Sequence, residues 1–74
     1  RGRRLVVAPP GVVAREHAII RELAQALCAF GAHGASMSGS GSTVFGLFAD
    51  EARLERAQRA MAAHYPAFLI TRGA

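Results

Sequence analysis

Six consecutive residues have the types and spacing for anion chemistry: Ser38, Gly39, Ser40, Gly41, Ser42 and Thr43, within the run GASMSGSGSTVFGLF from Gly34 to Phe48. The hydroxyls are small donors that can approach a ligand closely, and the glycines admit backbone angles that a Cβ disfavours. Successive backbone N–H groups in such a turn can form a concave nest for a phosphate. The same composition also suits a plain hairpin turn. The residues on its C-terminal side set the loop apart from the commonest phosphate sites. A Walker-type loop or a dinucleotide fingerprint places its glycines just before a helix. Here they precede Thr-Val-Phe-Gly-Leu-Phe, a β-branched and aromatic run that reads as a strand, and the chain has no Lys to supply a Gly-Lys-Ser or Gly-Lys-Thr ending.

Other chemistry has thinner support. His17, His33 and His64 are too far apart for a local metal signature, so no metal site is expected. His33 lies between the first helical stretch and the glycine–serine loop and could reach a phosphate, although a solvated loop histidine is the plainer reading. Ser38 and Ser40 are not in a Gly-x-Ser-x-Gly elbow, which argues against hydrolase chemistry. Cys28, the single cysteine, excludes an internal disulfide and falls in a helical apolar pattern, where a buried structural thiol is expected.

The elements that must position the loop can be read from hydropathy. Leu5–Ala8 reads as a short apolar strand closed by Pro9-Pro10-Gly11. From about 12 to 30, Val13, Ile20, Leu23, Leu27 and Phe30 recur at helical intervals, and Gly31 stops the helix. Ala35–Ser38 and Thr43–Phe48 read as strands on either side of the loop. Asp50 is a candidate N-cap for a helix running to about Tyr65, with Leu54, Ala57, Met61 and Tyr65 inward and a Glu55–Arg59 pair outward. Pro66 ends it, and Phe68–Arg72 makes a fourth strand. The order βαββαβ predicts one α+β domain over 1–74, a ferredoxin-like sandwich whose four-stranded antiparallel sheet has its first and third strands central and two helices on one face.

The segment Gly31–Phe48, GAHGASMSGSGSTVFGLF, resembles the C-terminal glycine-rich motif of the GHMP kinase superfamily, most closely the branch that serves non-mevalonate isoprenoid synthesis. A weaker likeness covers Leu5–Glu16, LVVAPPGVVARE, similar to the strand and Pro-Gly segment that opens the same domain in those kinases; there a long helical region separates the two segments, whereas here about one helix does. The resemblance implies the same ferredoxin-like architecture, and a role for Ser38, Gly39, Ser40, Gly41, Ser42 and Thr43 in shaping a phosphate or substrate site. It also implies ATP and Mg as cofactors of the full-length enzyme, with none expected for this chain alone. The family's N-terminal domain carries its own phosphate loop and an Asp and Lys near the acceptor. This chain has no Lys, and its only Asp is Asp50 at a helix cap. Phosphoryl transfer depends on positioning and charge neutralisation, so no catalytic residue is assigned and the chain is expected to be inactive alone, a fragment or stand-alone relic of the C-terminal domain. The alternative is a ferredoxin-like ligand-binding or oligomerisation module without catalysis.

Composition bounds the remaining possibilities. Seventy-four residues suit one small domain that buries roughly 60% of its unfolded surface. Nine Arg against five acids leave a net charge of +4, which favours acidic partners without choosing among them. An RNA-binding sheet needs aromatics sharing one face, but Phe45 and Phe48 are three residues apart in a strand and must point oppositely, so nucleic acid is not an expected partner. No apolar run reaches the roughly 18 residues that cross a bilayer, and a cytoplasmic location is expected. Both faces of the predicted sheet are apolar, and two helices cover only one. The expected cover for the other is a missing N-terminal kinase domain or a second copy of the chain in a homodimer.

Overall fold

A computed structural model describes residues 3–11, 17–37 and 43–73. The elements run β1 (Arg4–Ala8), α1 (His17–Ala29), β2 (Gly34–Met37), β3 (Val44–Leu47), α2 (Glu51–His64) and β4 (Leu69–Gly73). The strands form one antiparallel sheet in the order β2-β3-β1-β4, so β1 and β3 are central as the βαββαβ order predicts. The fold is the expected α+β, ferredoxin-like one.

Period-two alternation sorts the sheet residues between its two faces. Leu5 and Val7 of β1 point to the helices with Val44 and Gly46 of β3, and Phe48 continues that side; all are buried. Helix α1 contributes Ile20, Leu23 and Leu27 to the core and α2 contributes Leu54, Ala57 and Met61, the spacing read from the sequence. Phe30 and Tyr65 are half-buried at the margin. Val13 lies outside the described residues.

The helix ends obey local chemistry. Gly31 takes φ +116°, and the 31 and 32 N–H groups donate to the carbonyls of Cys28 (3.1 Å) and Leu27 (3.0 Å), which satisfies the last turn of α1 as a left-handed glycine cap does. Asp50 caps α2: its Oδ1 accepts from the Arg53 N–H at 2.8 Å. At the far end the Tyr65 N–H donates to the Met61 carbonyl at 2.8 Å, and Pro66 prevents continuation.

Two side-chain readings are corrected. Cys28 is exposed, because it sits one helical step, about 100°, past buried Leu27 and so leaves the core-facing stripe. Glu55 does not pair along its helix with Arg59; its Oε2 accepts from Arg72 Nη2 of β4 at 3.1 Å, while Glu51 Oε2 accepts from Arg72 Nη1 at 2.8 Å. The Arg72 fork thus fastens the last strand to the first turns of α2.

Candidate functional site

The register places the strand ends that flank the glycine–serine loop. Met37 pairs with Val44, and Val7 pairs with the same Val44 from the other side. Met37 and Val44, the strand residues that flank the loop, therefore lie at one end of the sheet, the end at which β1 leaves through Ala8-Pro9-Pro10-Gly11. The Pro9-Pro10-Gly11 exit and the strand residues that flank the glycine–serine run, far apart along the chain, lie at this end. Helix α1 sets out from it too, since β1 finishes there and β2 begins at the other end.

Of the six candidate residues, Thr43 is described: it is half-buried and leads into β3. Ser38, Gly39, Ser40, Gly41 and Ser42 lie outside the described residues. Next to them Met37 is 50% exposed, an unusual position for a large apolar side chain and one that sequence reasoning did not single out. Its signal is parity. Met37 pairs with buried Val44, yet it is the last residue of an edge strand, where cover runs out.

His33 does not belong to the loop end of the sheet. It is exposed, and its N–H donates to the Leu47 carbonyl at 2.9 Å, at the opposite end of the β2–β3 pair from the loop. A four-residue strand, about 13 Å at 3.3 Å per residue, separates the two. Among the described residues no three His, Cys, Asp or Glu side chains come together to hold a metal ion.

Among the described residues one titration is clearly displaced. Tyr65 is pushed up from 10.0 to about 12 by partial burial, reinforced by the hydrogen bond its hydroxyl donates to Glu22 Oε2 (2.7 Å) and by the Glu22 charge. The contact ties the end of α2 to α1, and Phe68 and Tyr65 (5.0 Å between centroids) with Phe30 and His64 (5.3 Å) pack around it. This is structural bracing.

The family described as GHMP kinases C terminal matches residues 3–67. The chain belongs to that family. Relatives named 4-diphosphocytidyl-2-C-methyl-D-erythritol kinase resemble it further. The one from Synechococcus sp. (strain JA-3-3Ab) is 48% identical over 54 residues, 73% of this chain and 18% of the relative. That of Syntrophus aciditrophicus (strain SB) is 45% identical over 64% of the chain and 17% of its own length. That of Clostridium novyi (strain NT) is 38% identical over 82% of the chain and 22% of its own length. The chain thus spans about a fifth of the curated relatives it matches. No solved structure matches it. Among the described residues no helix is long and apolar enough to cross a membrane.

Proposed function

We propose that this chain is the C-terminal module of an ATP-dependent kinase acting on 4-diphosphocytidyl-2-C-methyl-D-erythritol, and that Ser38–Thr43 shapes the phosphate side of its site. One observation carries the reading. The strand residues that flank the glycine–serine run, Met37 and Val44, lie at the same end of the sheet as the Pro-Pro-Gly exit from β1, and these are the two segments that resemble the kinases. There the loop offers hydroxyls and backbone N–H groups to an anion, a role that requires no Lys. When bound, ATP supplies the transferred phosphoryl group and magnesium neutralises its charge. The described residues gather no carboxylate cluster for the ion, so this reading assigns the metal, the acceptor-side Asp and Lys and the nucleotide loop to polypeptide outside residues 1–74. The kinase as a whole is read as cytoplasmic.

A graft tests this. Residues 3–67 replace the matching segment of the Synechococcus relative, and phosphorylation of 4-diphosphocytidyl-2-C-methyl-D-erythritol by ATP and Mg2+ is monitored. The graft should retain activity, Gly39→Val and Gly41→Val within it should each remove most of it, and the isolated 74-residue chain should have none. A folded but inactive graft, or glycine variants as active as their parent, would overturn the reading.

A further inference from the structure

The face of the sheet turned away from the helices carries a specific pattern. Alternation puts Arg4, Val6 and Ala8 of β1, Phe45 and Leu47 of β3, and Leu69 of β4 on it, with Ser36 and Thr71 on the flanking strands. Leu69 is 65% exposed and Leu47 39%. These side chains form a diagonal apolar stripe from Leu69 through Val6 and Phe45 to Leu47, bordered by the hydroxyls of Ser36 and Thr71. Two strand spacings across and four residues along make it about 16 Å long, or about three turns of an α-helix.

Its charge is one-sided. At the Leu47 end, Arg4 stands between Leu47 and Gly73 in the cross-strand row, with its guanidinium carbon 4.8 Å from the centroid of the Phe45 ring. A Cβ on Gly73 would come within 3.1 Å of the Arg4 Cδ and 3.0 Å of a Val6 methyl, so the glycine leaves the room in which the Arg4 stem lies. The described carboxylates are all elsewhere: Glu22 on α1, Asp50 at the α2 cap, and Glu51 and Glu55 on α2, where they are engaged by Tyr65, Arg53 and Arg72. A second copy stacked on this face would cover the stripe but bring no described carboxylate to Arg4, leaving a cation desolvated without a counter-charge.

We infer that this face seats an amphipathic helix of about three turns, supplied from outside residues 1–74, with a carboxylate at the end that lies over Arg4. Its apolar residues at i, i+3, i+4 and i+7 fill the stripe, and the carboxylate takes the guanidinium in place of water. The inference draws on the kinase reading only for the existence of that additional polypeptide.

The test needs no kinase activity, so its outcome is separate from that of the graft. The 15N-labelled 74-residue chain is titrated with a designed amphipathic peptide of about 18 residues, bearing leucines at helical spacing and glutamate at one end of the stripe. A twin peptide carries lysine there. The Glu peptide should shift amides of β1, β3 and β4, bind at least about tenfold more tightly than the Lys twin, and lose that advantage with Arg4→Gln, while Arg4→Glu should reverse the preference. Equal affinities, no binding by either peptide, shifts confined to the helical layer, or a chain sedimenting as a dimer that the Glu peptide cannot dissociate would each overturn the inference.

Discussion

Gly46 is where the fold tolerates least addition. It faces the helices from central strand β3, and a Cβ placed on it would meet the Ala32 Cβ and the Leu27 Cβ, both at 3.3 Å, and the Leu27 Cδ1 at 3.4 Å. Leu27 is fully buried and anchors the last turn of α1, so neither neighbour is the free end of a flexible side chain. An alanine requires a shift of a few tenths of an ångström, offset by the roughly 0.4–1 kcal/mol that losing a glycine gains through the unfolded chain, and Gly46→Ala should be within about 0.5 kcal/mol of neutral. Gly46→Val adds two methyls where no room exists, and overpacking of this kind costs about 1–3 kcal/mol. At about 4–8 °C per kcal/mol for a domain this size, a cost of ~2 kcal/mol lowers Tm by roughly 8–16 °C. Circular dichroism melts of the two variants beside their parent read the difference. A valine variant melting within about 2 °C of the parent would refute the close approach of α1 to β3 on which the core description rests.

Asp50→Ala removes the acceptor for the Arg53 N–H and should cost about 1 kcal/mol, a fall of roughly 4–8 °C in Tm. Arg72→Gln breaks two exposed ion pairs and should cost under about 1 kcal/mol, so a larger loss in a urea melt would mean that the fork does more than surface pairs do. The folded-state pKa of Tyr65 is raised, so its contribution is complete below pH 10.0 and is lost as pH climbs toward about 12, where the unfolded chain sheds the proton that the folded chain still holds. Melting temperature should therefore drop more steeply over that window in the parent than in Tyr65→Phe, and parallel curves would contradict the raised pKa of Tyr65.

Much of the fold was legible in the sequence because it rests on local patterns. The stripe Ile20, Leu23, Leu27 and the set Leu54, Ala57, Met61 are three- and four-residue spacings, and Asp50 and Pro66 bracket α2 by cap chemistry. The alternation of Phe45 and Phe48 to opposite faces likewise needs only the strand period. What escaped depends on partners distant in sequence. Arg72 reaches Glu51 and Glu55 because β4 lies beside β1 at a particular register, which no spacing within β4 specifies. The same register decides that Val6, Phe45 and Leu69 face away from the helices, where the sequence showed only that both faces of the sheet are apolar. His33 seemed near the loop because only a few residues intervene, but those residues are an extended strand that carries the chain away. For the candidate site, sequence supplied the residue types and the register showed that Met37 and Val44, which flank the loop, lie at the end of the sheet where Pro9-Pro10-Gly11 leaves β1.

The pairing of β1 with β4 has a mechanical consequence. Arg4 lies opposite Gly73, so the strand that enters the module and the strand that leaves it are neighbours at the end of the sheet away from the glycine–serine loop. Tension applied through both ends pulls across the strands and loads the ladder one hydrogen bond at a time, as in opening a zipper, whereas strands pulled lengthwise past each other would load many bonds together. The module should therefore yield at low force in single-molecule pulling from its two ends. Attachment at Arg4 and at Met37, whose strand runs parallel to β1 with β3 between them, loads the β1–β3 and β2–β3 ladders in shear and should demand distinctly more.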